Sequence, residues 1–335
     1  MPNAPEPQPP YVRRTVRLHP QPEPARRTQR RPGDLAARLT DRDWWLLAML
    51  CEHRVLTSHH LTALAFPGHR TALRRLHTLT TYGLLDSFRP WLPPGAGSAP
   101  DHYLLARTGA ELLATRHNLP LKDIDWSPHH LEATAYSPRL AHTLGTNTVM
   151  TALTAHARHH LHHALLAWWS ERSAARTWGT WARPDAYARW HDGTTTCDFF
   201  LEYDTGKEQL ARVAAKLTHY ARLTTATGIT TPVLFHLPTA TRETNVRTAL
   251  AHAAARLNPP VPAATTHPGA GHPATHAWLP IGTDSPRCTI TELAPPPSTG
   301  PAPETTTESA PGPAEAPPRW TPPPPIPPAV PRWPQ

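Results

Sequence analysis

Asp198-Phe199-Phe200-Leu201-Glu202-Tyr203-Asp204 is the stretch whose alternation decides how the second half of the chain folds. In a strand, successive side chains point to opposite faces. Asp198, Phe200, Glu202 and Asp204 therefore point one way, and Phe199, Leu201 and Tyr203 the other. Glu202 and Asp204 share a face about 7 Å apart along the strand. Pro184-Asp185 lies in an extended run over 182–190, so three carboxylates converge if Asp185 faces the same way. Clustered carboxylates repel unless a cation neutralises them, and hard oxygen ligands suit Mg²⁺ or Mn²⁺. A site of this kind polarises a phosphodiester. Glu171, at the end of an earlier extended run over 165–172, is a further acid within reach of it.

The lysines sharpen this reading. Of 33 basic residues only Lys122, Lys207 and Lys216 are lysines, and two of the three follow Glu202 within fifteen positions. An amine can give up its proton where a guanidinium cannot, so a lysine beside carboxylates suits acid–base work.

Working outward, a helix over 138–163 precedes the three extended runs (165–172, 182–190, 194–204). A helix from Lys207 to about Thr225, an apolar strand over 232–237 and a helix over 242–257 follow. That order implies a mixed sheet flanked by helices. The end of the first helix carries His156, His159, His160, His162 and His163. Zinc ligation is sterically open to His156, His159, His160 and His163 on one helical face, but neither Cys nor carboxylate joins that face locally. A polar or partly buried face is the reading adopted.

The first half reads differently. Thr40-Asp41-Arg42-Asp43 opens a helix with Trp44, Leu47, Leu50 and Cys51 at helical spacing. Thr57-Ser58 caps a short helix that stops at Pro67-Gly68. A third helix from His69 carries Leu73, Leu76 and Leu79 as its buried stripe and ends at Gly83. Two short strands (84–88 and 101–105) flank a Pro/Gly loop, and a helix over 109–117 closes the unit. Three helices followed by a hairpin form the winged helix-turn-helix pattern. The third helix has Arg70, Arg74 and Arg75 and no acid, and Arg70 and Arg74 share a face away from the leucines. That is where a recognition helix needs side chains for base edges and phosphates.

The chain has 335 residues and a formal charge of +8, and the regions carry that charge unequally. Residues 1–39 and 138–258 each balance at +5, 40–137 is neutral and 259–335 is −2. The predicted layout is a disordered Arg/Pro-rich arm (1–39), a winged helix-turn-helix domain (40–120) and a linker (121–137). An α/β domain with a mixed sheet (138–258), a loop with a terminal strand (259–293) and a disordered Pro-rich tail (294–335) follow. No apolar run approaches the ~20 residues of a membrane span. Cys51, Cys197 and Cys288 are widely spaced and form no CxxC, which fits a reducing cytoplasm.

Taken in order, several motifs resemble the actinobacterial replication-relaxation family, linked to plasmids and mobile elements. In the first half they are Leu39-Thr40-Asp41-Arg42-Asp43, the Arg75–Leu85 stretch and His142-x-Leu-x-x-Asn147. In the second half they are Trp169-Ser170-Glu171-Arg172, Arg183-Pro184-Asp185-Ala186, Phe200-Leu201-Glu202-Tyr203-Asp204-x-Gly206 and Lys216-Leu217-x-x-Tyr220. The resemblance implies a winged helix joined to a restriction-endonuclease-like domain of the PD-(D/E)xK type. Asp185, Glu202 and Asp204 would then be metal ligands, with Lys216 and Glu171 in the same catalytic set. The nuclease motif expects Lys two residues after the acid. Asp204 stands there, so Lys216, or less favourably Lys207, must supply the amine, or the site is inert. The implied function is DNA binding in plasmid replication or relaxation, with double-stranded plasmid DNA and replication or mobilisation proteins as partners. Its alternative is a non-catalytic regulator or accessory protein.

Overall fold

The computed structural model describes residues 16–18, 32–92, 95, 97–124, 126–283, 285–295 and 319–328. The first unit opens with β1 (Val16–Leu18), α1 (Pro32–Ala36) and α2 (Asp41–His53). Thr40 caps α2 reciprocally: its hydroxyl accepts from the Asp43 N–H, and Asp43 accepts from the Thr40 N–H at 2.8 Å. Then come β2 (Leu56–Thr57), α3 (Ser58–Ala65) with Thr57 as cap, α4 (His69–Thr81), β3 (Leu85–Pro90), β4 (His102–Leu105) and α5 (Arg107–Arg116). Gly83, at φ 72°, ends α4 in the left-handed conformation that glycine adopts without Cβ strain. The four strands form one antiparallel sheet, ordered β1-β3-β4-β2. The buried stripe of α4 is Ala72, Leu76 and Leu79, while the expected Leu73 is half-buried.

Residues 121–137 are not bare linker: they hold a 3-10 turn (Leu121–Ile124) and α6 (His130–Ala135). The second unit begins with α7 (Leu140–His159) and continues as β5 (Ala164–Ser170), α8 (Glu171–Trp178), β6 (Ala186–His191) and β7 (Thr196–Tyr203). It goes on through α9 (Leu210–Thr227), β8 (Val233–His236), α10 (Ala240–Ala254), β9 (Ala263–Thr266) and β10 (Leu279–Pro280). The six strands are ordered β10-β9-β8-β7-β6-β5. The β5–β6 and β6–β7 pairs are antiparallel, the β7–β8 and β8–β9 pairs parallel, and β10 is antiparallel to β9. The sheet is thus mixed, as expected, and gains two strands from the 259–293 stretch.

The expected alternation holds as far as Tyr203, where β7 ends. Phe199 and Leu201 join the core that α7 shares, with Val149, Met150, Leu153 and Trp168. Phe200 faces the other way, into a core with Trp178, Leu217, Tyr220, Val246 and Leu250 from α8, α9 and α10. Gly145 on α7 is needed for this packing, because a Cβ there would lie 2.1 Å from the Tyr203 ring. The core on the α7 side runs on without a break into Leu46, Leu47, Leu50 and Leu61 of the first unit. Asn147 on α7 seals the junction, its Nδ2 donating to the carbonyls of Val55 (2.9 Å) and His53 (3.3 Å).

Three expectations need correction. The first extended run ends at Ser170, because Ser170 caps a new helix, α8, that starts at Glu171. The helix expected from Lys207 starts at Leu210, since the Asp204 carboxylate accepts from Gly206 N at 2.8 Å and shapes a turn first. The arm and tail, expected to be disordered, fall largely outside the described residues, but parts of both are held. β1 pairs with β3, and Trp320 is buried, its Nε1 donating to Glu52 at 2.7 Å. Trp45 Nε1 donates to the Pro324 carbonyl at 2.6 Å, so residues 319–328 lie against α2.

Candidate functional site

The register that pairs Ala186 with Leu201 sets Asp185 beside Glu202 at the end of the β6–β7 pair, and Asp185 N donates to Leu201 O at 3.0 Å. Glu202 is buried under α9. Lys216 Nζ donates to its Oε2 at 2.7 Å, and the Tyr220 hydroxyl donates to its Oε1. Lys216 and Tyr220 are four residues apart, so one helix face delivers both. Asp185 accepts from Tyr203 N at 2.8 Å, and His142 Nε2 lies 2.8 Å from its other oxygen. Lys216 also lies 3.6 Å from Glu208.

The electrostatics divide the pair. Burial, followed by the neighbouring Asp185 charge, pushes Glu202 up to about 7 against the pull of Lys216 and Tyr220. Burial also works against the Asp185 charge, but His142, Lys216 and the Tyr203 N–H outweigh it and hold Asp185 below the usual carboxylate range. Lys216 is likewise disfavoured by burial, and Glu202 and Asp185 more than compensate, so its pKa is raised. His142 loses to burial and gains more from Asp185, a net rise. The result is a buried acid pair with one firmly ionised member and a lysine shared between them.

The other sequence candidates lie elsewhere. Asp204 is buried but turned away, accepting from Arg242 Nε at 2.6 Å, so it does not join Asp185 and Glu202. Among the described residues no group of three or more His, Cys, Asp or Glu side chains is placed to hold a metal ion. Glu171 accepts from Arg139 Nη2 at 2.7 Å and, with Asp185, lines a cleft of about 800 Å³ between the two units. Lys207 is exposed in the turn before α9. Arg70 and Arg74 are exposed on α4 with Thr71 and His77, whereas Arg75 is committed to Asp43, its Nε donating at 2.8 Å. The histidine cluster is a stack. The rings of His156 and His160 lie 3.7 Å apart, His163 and His272 join them, and His163 Nδ1 lies 2.9 Å from His156 Nε2. Sequence reasoning missed His142 and Tyr220 as site residues, although both stand in quoted motifs. The lysine-plus-four spacing was the available signal for Tyr220.

A family model described as replication-relaxation matches residues 47–235, more than half of the 335. The chain belongs to the replication-relaxation family. The comparisons with curated proteins and with solved structures found no match. The replication-relaxation match runs from within α2 to β8, across both units, and takes in Asp185, Glu202 and Lys216. No helix among the described residues is long and apolar enough to cross a membrane.

Burial pushes His53, His60 and His236 down to about 4. The unfolded chain binds protons at these positions below about 6.5, where the folded chain refuses them. Stability is therefore lost as pH falls from about 6.5 toward 4. Glu202, raised in the folded state, works in the opposite sense between about 7 and 4.5 and offsets one of the three. Thermal unfolding followed across pH should show a midpoint clearly lower at pH 5 than at pH 7.5. A flat or rising midpoint would contradict these assignments.

Proposed function

We propose that this chain is a DNA-binding protein of plasmid or mobile-element replication or relaxation, which grips double-stranded DNA through α4. In this reading the first unit is a winged helix: α2, α3 and α4 are its helices, and the β3–β4 hairpin is its wing. The observation that carries it is the outer face of α4, where Arg70, Arg74 and His77 are exposed and no acid is present. A helix placing arginines at i and i+4 on its open face can reach phosphates and base edges together. The Arg89–Asp101 pair, at 2.7 and 2.9 Å, braces the base of the wing.

The second unit, in the same reading, has a restriction-endonuclease-like fold whose acidic site is Asp185, Glu202 and Lys216. The antiparallel β5-β6-β7 set, the α9 crossover and parallel β8 support it. The donor set fits Mg²⁺ or Mn²⁺ only as two carboxylates, Asp185 and Glu202, because Asp204 is held by Arg242. Mg²⁺ is commonly held by one or two carboxylates, with water and substrate phosphate completing the shell. Bound there, the ion would supply Lewis-acid polarisation of a phosphodiester. Lys216 keeps the buried carboxylates compatible with one another, and His142 orients Asp185 and holds a proton at the cleft wall.

Two measurements test the reading. Arg70→Ala/Arg74→Ala should weaken duplex binding about tenfold or more in fluorescence anisotropy. It should also flatten the log–log salt dependence by about 1.8, for two lost phosphate contacts. Unchanged affinity and slope would remove α4 from the interface. Supercoiled plasmid incubated with Mg²⁺ or Mn²⁺ should yield relaxed circles, a product lost in Glu202→Gln and in Asp185→Asn. Intact supercoils with every variant, alongside normal duplex binding, would leave the accessory, non-catalytic role, which the internal capping of both Glu202 oxygens favours.

A further inference from the structure

The cleft between the two units has a chemistry that the acid pair alone does not use. Lys122, Arg176 and Arg183 stand exposed on its walls, from the segment before α6, the last turn of α8 and the loop before Asp185. The acids that line it are already committed internally: Glu52 to Ser170, Ser173 and Trp320, Glu171 to Arg139, and Asp185 to Tyr203 N. The cleft therefore presents a surplus of positive charge.

Its floor carries buried ring nitrogens that, among the described residues, lack a protein partner. His53 is 3% exposed and stacks on Trp168, 1% exposed, with ring centroids 3.8 Å apart. Both rings line the cleft, and among the described residues neither His53 nitrogen nor Trp168 Nε1 has a hydrogen-bond partner. Buried polar groups are normally paired, so a floor of this kind calls for an acceptor from outside. The half-buried ring of Trp126 adds an aromatic surface on the same cleft. Cationic walls with aromatic platforms are the means by which proteins hold single strands. At about 800 Å³ the cleft is of the size that encloses a small ligand or a few nucleotides rather than a duplex.

We infer that this cleft binds the phosphate backbone of a single DNA strand, with Arg176 and Arg183 on the phosphates and the His53–Trp168 floor donating to the same chain of oxygens. The inference rests on the DNA-binding reading and deepens it. α4 holds the duplex, and one strand passes along the cleft to Asp185.

The test uses the full chain and a fluorescein-labelled single strand of about ten nucleotides, read by anisotropy over a salt series. Arg176→Ala/Arg183→Ala should weaken single-strand binding about tenfold and lower the log–log salt slope by about 1.4, for two lost contacts. Duplex affinity should stay within about twofold. Trp168→Phe keeps an aromatic face, smaller than the indole, and removes the N–H, so it should weaken the strand several-fold with the slope unchanged. Single-strand affinity and slope that ignore Arg176→Ala/Arg183→Ala would overturn the inference, whatever α4 does. So would displacement of the strand by a mononucleotide at equal phosphate concentration, which would assign the cleft to a free nucleotide. Wild-type protein that binds the single strand but no duplex would end the α4 reading and leave the cleft standing.

Discussion

The carboxylate of Glu52 ties three distant parts of the chain into one body. It is 1% exposed at the end of α2. Its Oε1 accepts from Ser170 N at 2.9 Å and Ser170 Oγ at 2.7 Å, and its Oε2 accepts from Ser173 Oγ at 2.9 Å and Trp320 Nε1 at 2.7 Å. Arg172 lies 3.5 Å away. Burial alone would raise such a group, yet the His53 charge and the serine donors bring it down to about 2. A buried charge this well met holds its partners firmly, and loss of the carboxylate would leave several buried donors unpaired. Glu52 thereby fixes the junction of β5 and α8 against α2, and with it the position of the Asp185 cleft relative to α4.

The acid pair shows the opposite economy. Asp185 and Glu202 repel each other where they stand, and the fold keeps them together with Lys216, Tyr220, His142 and one backbone N–H. The cores that pack the sheet lie on either side of it, and of the Lys216, Tyr220 and His142 side chains only Tyr220 belongs to them. Unfavourable charge kept at the end of two strands, beside a cleft, is the observation on which the proposed role of this pair rests.

Much of this was legible in the sequence. The period-2 alternation of Phe199, Phe200, Leu201 and Glu202 fixed the two faces of β7, and the scarcity of lysine singled out Lys207 and Lys216, of which Lys216 meets Glu202. The Arg70/Arg74 face followed from helical spacing. The failures share a cause: a long-range partner decides the orientation of a charged side chain, and periodicity does not reveal it. Asp204 shares a nominal face with Glu202 but meets Arg242, 38 positions on, and Arg75 meets Asp43, 32 positions back. Ser170-Glu171 carried a legible capping signal that the apolar run before it obscured. Trp320 lies in a composition that reads as tail. Its burial depends on a carboxylate 268 positions away.

If Glu52 makes the two units one cooperative body, calorimetry of the full chain is the direct test. The account predicts a single transition in which calorimetric and van't Hoff enthalpies agree, and a Glu52→Ala variant that melts earlier and in two resolved steps. A wild-type chain that already melts in two independent transitions, unaffected in their spacing by Glu52→Ala, would contradict it.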